Sequence, residues 1–166
     1  AMTVAILEEA LFRGALFGGL RQDLPWPVAL IVSSAIFGLV HFFAKPESPV
    51  SIHWYSGFVT LAGMFSGLVS FKMLMPGFLN LFIVGAILGF AFQRTGNLYF
   101  SIGLHAGWIF WMKFYGALTN KVARTDVRFW GGGKMIDGWL ATTVLLCVFA
   151  ILFVRYQNQK RAIHAA

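Results

Sequence analysis

At 166 residues, 58% hydrophobic and only 11% charged, the chain carries less than half of the about 25% charge typical of a soluble domain. Its apolar residues come in long blocks, which excludes a water-covered globule and points to lipid as the solvent. The net charge of +7 falls mostly between those blocks, at Arg94, Lys121, Arg124, Arg128, Arg155, Lys160 and Arg161, where headgroups and topology determination account for it; no basic stripe interleaved with exposed aromatics marks a nucleic-acid partner. Cys147 stands alone in an apolar run, so neither a disulfide framework nor a cysteine metal site can be built.

The pattern predicts an all-α transmembrane bundle with six crossings. The first runs from about Met2 to Leu20 and ends at Arg21-Gln22-Asp23. Pro25 and Pro27 flank the start of the second, about Val28 to Ala44, where a first-turn proline is tolerated. The third spans about Ile52 to Leu74 and is broken by Pro76-Gly77; the fourth spans about Phe78 to Phe92. After the Gln93–Asn97 turn the fifth covers about Leu98 to Leu118, and a loop with Gly131-Gly132-Gly133 leads to the sixth, about Ile136 to Tyr156, and a basic tail. No strand is expected, because open sheet edges cannot sit in lipid and the runs are too long for barrel strands. The largely apolar start, with Glu8 and Glu9 only a few residues in and no basic signal-peptide opening, leads us to expect further helices upstream.

Small residues recur four apart at Gly14/Gly18, Gly63/Gly67, Gly85/Gly89 and Gly103/Gly107, a spacing that lets helix backbones approach closely. Assigning the loops alternately to two sides puts Lys45, Arg94, Arg155, Lys160 and Arg161 on one and Arg21, Lys72, Lys121, Arg124, Arg128 and Lys134 on the other. The positive-inside rule gives no orientation from that division.

Ionisable groups within spans cost about 3 kcal/mol each on insertion scales, so each needs a reason. Glu9 and Arg13 are four apart in acid-first order and can pair along one helix face; a purely structural ion pair accounts for them equally well. Glu8 is rotated by about 100° from Glu9, outside that contact, which makes it the better candidate for a general base. About the loop at Arg21–Trp26, Glu8 lies about 20 Å along its helix and His41 about 21 Å along the next, so the two share a level. His105 lies about 12 Å into its helix. If the third and fourth spans each cross once, all three groups converge in the same half of the bilayer. Taken singly, His41 reads as an interfacial histidine and His105 as a helix contact beside Gly103 and Gly107; together with Glu8 they read as a site. His53 and His164 read as structural or solvated.

Glu8-Glu9-Ala10-Leu11-Phe12-Arg13 fits EExxxR, and Phe37-Gly38-Leu39-Val40-His41 fits FxxxH. His105 follows the Arg94–Asn97 turn where a third motif histidine belongs. With these three in order from Ile6 to Lys113, the chain resembles the CPBP family of intramembrane proteases, which includes type II CaaX prenyl endopeptidases and abortive-infection (Abi) proteins. The resemblance implies residues 1–118 as the protease core, 119–135 as a polar loop and 136–166 as a final helix and tail, in one domain. It also implies that Glu8 and His41 activate water and that His105 helps hold the oxyanion. Glu9, Arg13 and Phe37 would support them. The family places Asn or Asp four residues after that histidine, and Ile109 stands there. Ile109 cannot donate a hydrogen bond; the indole N–H of Trp108 is the available substitute.

A metal-independent mechanism is expected. If a divalent metal such as zinc were used, Glu8, His41 and His105 would be its ligands, but HExxH is absent. Ser66-Gly67 lacks a GxSG context, since position 64 is Met, and no GxGD motif occurs. The rivals are a degenerate, non-catalytic homologue acting as an immunity or scaffold protein, for which Ile109 argues, and a small proton-coupled transporter. Expected partners are membrane lipids and a membrane-associated or prenylated peptide, in a bacterial inner membrane.

Overall fold

A computed structural model describes residues 2–43, 51–65, 75–118, 126–131 and 136–165. Every regular element among them is helical. The chain opens with α1 (Met2–Glu9), widens into a π-helix (Ala10–Phe17) and returns to α-helix in α2 (Gly18–Asp23). Then come α3 (Trp26–Val40), α4 (Ser56–Met64), α5 (Gly77–Thr95), α6 (Leu98–Leu118), the single turn α7 (Val127–Trp130) and α8 (Trp139–Ala165). Pro27 falls in the first turn of α3, and α5 starts immediately after Pro76. Gly96 closes α5 in the left-handed conformation at φ 68°, which glycine adopts without a Cβ penalty. Among the described residues two helical stretches, Gly77–Thr95 and Trp139–Asn158, are long and apolar enough to cross a membrane. The upper part of the predicted third span (66–74), most of the predicted loop 119–135 and the His164 side chain lie outside the described residues.

The centre of the bundle is the antiparallel pair α3 and α5. A Cβ on Gly89 would come within 2.5 Å of Leu30 Cδ1, one on Gly85 within 3.1 Å of Ser34 Cα, and one on Gly38 within 3.0 Å of the Phe78 ring. Glycine at these positions is what allows the two backbones to close on each other. Of the four predicted glycine pairs, Gly85/Gly89 behaves in this way. Gly14 lies against Leu98, whereas Gly63, Gly103 and Gly107 have nothing within 4 Å, and Gly67 is outside the described residues. Two apolar clusters fill the interior: Phe12, Phe37, Val84 and Leu88 around the middle, and Phe17, Ala29, Leu30 and Phe90 toward one end.

At that end the Arg94 guanidinium lies 3.3 Å from the Tyr156 ring centroid, 4.9 Å from Phe90 and 5.2 Å from Trp26, clamping α3, α5 and α8 by cation–π contact. At the opposite end the buried Asn80 amide donates to the carbonyls of Ile136 and Gly138, and Thr142 Oγ1 donates to Asn80 Oδ1 at 2.6 Å. These bonds secure the start of α8 to the start of α5, so the two helices run parallel.

This packing corrects the predicted topology in two places. Phe42 packs on Gly77 and Phe78, so α5 begins at the end where α3 stops. The chain between them leaves and returns at one end, and a single crossing by a third span is incompatible with that. Arg21 also hydrogen-bonds Gln93, which puts Arg21 and Arg94 at the same end, not on opposite sides as alternating loops implied. Both differences have one cause: an uncharged stretch long enough to cross a bilayer need not cross it.

Candidate active site

Glu9 is fully buried, and its Oε1 is the hub of the polar centre. Arg13 Nη1 donates to it at 2.9 Å, the predicted i,i+4 pair, and His105 Nδ1 donates to it at 2.8 Å from α6. Arg13, itself 2% exposed, spends a second donor on the Gly85 carbonyl at 3.1 Å. Its guanidinium also lies 4.5 Å from the Phe37 ring centroid. These contacts offset part of the cost of burying the two charges, while Glu9 Oε2 is buried with no hydrogen-bond partner among the described residues. The π-helix begins directly after Glu9 and contains Arg13. Wide turns of this kind are frequent at functional sites.

Glu8, one residue earlier on α1, turns away from Arg13 as its position predicts. Its side chain is 28% exposed, yet Oε2 is buried and has no hydrogen-bond partner among the described residues. Two imidazoles face that oxygen: His105 Nε2 at 3.6 Å and His41 Nε2 at 3.9 Å. Both separations exceed direct hydrogen-bond length.

The tautomers follow from the partners. His41 Nδ1 lies 2.7 Å from the Phe37 carbonyl oxygen, and His105 Nδ1 lies 2.8 Å from a carboxylate oxygen. Each oxygen can only accept, so each Nδ1 carries its proton and each Nε2 is the atom left facing Glu8. The FxxxH spacing thus has a local reason. Phe37 is in the last turn of α3, where carbonyls run out of backbone donors, and a histidine four residues on can supply one. The Phe37 ring, 1% exposed, is the floor of the site, 4.7 Å from the His41 ring and 6.0 Å, edge-on, from His105.

The convergence predicted from depth is therefore present, but by a different route. Helix α6 starts at the end opposite His41. It begins deep in the bundle, with Leu98 against Gly14, and runs antiparallel to α1 so that His105 meets Glu9. Trp108 packs on the cluster of Phe12, Phe37, Val84 and Leu88. Ile109 is half-buried one turn beyond His105. His53 is exposed, bonded to Ser51 and stacked on Tyr55, away from the site.

Three features were missed. The Gly85 carbonyl as an Arg13 acceptor leaves no trace in sequence, and neither does the π-helix. Asn80 does: a lone amide in an apolar block is a polar group needing a partner, as an ionisable one is.

A model of the family described as Rce1-like, type II CAAX prenyl endopeptidase Rce1-like, matches residues 1–111 of the chain. No curated protein and no solved structure matches it.

Proposed function

We propose, from the premise that this chain belongs to the type II CAAX prenyl endopeptidase Rce1-like family of membrane-embedded peptidases, that it is an intramembrane endopeptidase using a Glu/His-activated water. The observation that carries this reading is the meeting of Glu8, His41 and His105 from three helices, with both free imidazole nitrogens turned to one carboxylate oxygen. A water oxygen about 2.8 Å from Glu8 Oε2 and His41 Nε2 would have both as proton acceptors. Glu8 takes the proton as the water oxygen bonds to the scissile carbonyl carbon. The carbon–nitrogen bond then breaks, and the proton passes from Glu8 to the leaving amine.

His105 is the group assigned to the oxyanion. Its Nδ1–H is committed to Glu9, so Nε2 can donate only when the ring is doubly protonated, and Glu9 then supplies the counter-charge. Glu9, Arg13 and Phe37 act through position. A tetrahedral zinc with bonds of about 2.0 Å puts its ligand atoms about 3.3 Å apart. The donor separations of 3.6 and 3.9 Å are wider, and among the described residues no group of three or more His, Cys, Asp or Glu is placed to hold a metal ion. If a metal were bound, Glu8, His41 and His105 would hold it, and it would supply Lewis-acid activation of water. The substrate class proposed is a membrane-associated or prenylated peptide, and the location a bacterial inner membrane.

The test is cleavage of a mixed library of prenylated and unmodified peptides by purified full-length protein. Glu8→Ala and His41→Ala should remain folded and lose cleavage. Full activity in folded Glu8→Ala would refute the proposal. Ile109 favours a second reading, a homologue that keeps the site and binds peptide without turnover. Peptide binding without cleavage by the wild type would select it.

A further inference from the structure

Helix α4 is at odds with its surroundings. It is 9 residues long, about 13 Å, against a hydrocarbon core of about 30 Å. Its apolar side chains are nonetheless exposed over about half its circumference: Phe58 72%, Val59 62% and Leu61 54%, with Ile52 and Trp54 at 89% just before it, while Ser56, Thr60 and Met64 on the other face are half-buried. From Ser48 to Phe71 the sequence holds no Asp, Glu, Lys or Arg. An exposed apolar face this wide, with no charged residue beside it, belongs against protein or lipid, not in water.

The described ends limit where it can go. The chain leaves α3 and re-enters α5 at the same end of the bundle, through the contacts of Phe42 with Gly77 and Phe78. Phe65, directly after α4, packs on Phe43 with the rings tilted at 57° and 5.1 Å between centroids, so α4 finishes at that end as well. One crossing would deliver the chain to the wrong side. Two full crossings need about 40 residues plus a turn, more than the interval from Phe43 to Met75 provides.

We infer that α4 is a re-entrant element: it is immersed in the lipid leaflet on the His41 side, enters and leaves from that side, and has acyl chains as its partner. Trp54 and Tyr55 precede its first turn, where amphipathic rings settle at the headgroup level. His41, 31% exposed at its side chain, lies two residues from Phe43, so this lipid-facing helix stands beside the open edge of the Glu8 cluster. The inference rests on membrane embedding alone and is independent of whether Glu8 is catalytic.

The experiment uses full-length protein with Cys147→Ser, reconstituted in phosphatidylethanolamine/phosphatidylglycerol vesicles. Nitroxides are placed singly at Phe58→Cys and Leu61→Cys. Both substituted side chains are already exposed, and retained monodisperse elution confirms folding. Molecular oxygen should broaden both spectra and a water-soluble nickel chelate should not. A membrane-impermeant maleimide should reach Ser51→Cys and Met75→Cys from the same side. Chelate access at Phe58 and Leu61 would place α4 in water, and protection from both reagents would place it under another protein segment. Labelling of positions 51 and 75 from opposite sides would mean a true crossing. Any of these three results overturns the inference.

Discussion

Glu9 separates stability from chemistry in this bundle, and two substitutions can show it. Glu9→Leu removes the acceptor of both Arg13 and His105. Arg13 is then a cation, 2% exposed, holding only the Gly85 carbonyl at 3.1 Å. Breaking one side of a buried pair costs about 3–5 kcal/mol, so Glu9→Leu should unfold far more readily in detergent. Adding Arg13→Met removes the stranded charge. Replacing both partners with apolar residues of similar volume is often neutral, so the double variant should recover most of the lost stability. Catalysis should not recover with it. Without Glu9, His105 has no partner fixing its Nδ1–H tautomer or turning Nε2 toward Glu8, and the double variant should cleave about 100-fold or more slowly than wild type. Glu9→Gln keeps a carbonyl acceptor for both donors and should retain more activity than Glu9→Leu. The assays are thermal unfolding in detergent and peptide cleavage on the same preparations. Wild-type kcat in the folded double variant would refute the positioning argument. A Glu9→Leu penalty below about 1 kcal/mol would refute the buried-charge argument.

Other outcomes follow from the packing. Gly85→Ala forces a Cβ to 3.1 Å from the Ser34 backbone, an overpacking worth about 1–3 kcal/mol. Gly103→Ala meets nothing within 4 Å and should leave the unfolding midpoint unchanged or raise it, so equal losses at both positions would contradict the α3–α5 packing. Asn80→Ala strands the Thr142 hydroxyl and two carbonyls, at about 1–3 kcal/mol for each group left unsatisfied; increased proteolysis between α7 and α8 in native vesicles is the readout. Ile109→Asn adds a donor one turn from His105. It should raise kcat by up to about 100- to 1000-fold if the oxyanion is under-supported, and an unchanged kcat would show that Ile109 does not limit the rate.

Much of the site was legible in the sequence because its signals are local. Glu9 and Arg13 meet through helix periodicity, Glu8 is turned away from them by the same periodicity, and His41 reaches Phe37 across one turn. An ionisable group in an apolar block needs a partner or a role whatever surrounds it, and so marks a candidate site. Composition likewise settled the all-helical class. The route of the chain was not legible, because an uncharged stretch looks alike whether it crosses the bilayer or dips into it. Only the Leu30–Gly89 and Ser34–Gly85 approaches, with Phe42 on Phe78, fix α3 and α5 as antiparallel neighbours and so forbid the third crossing. The partners of a buried donor are equally non-local. That His105 leans on Glu9, and Arg13 on the Gly85 carbonyl, depends on which helices pack together, and side-chain packing between distant segments decides that.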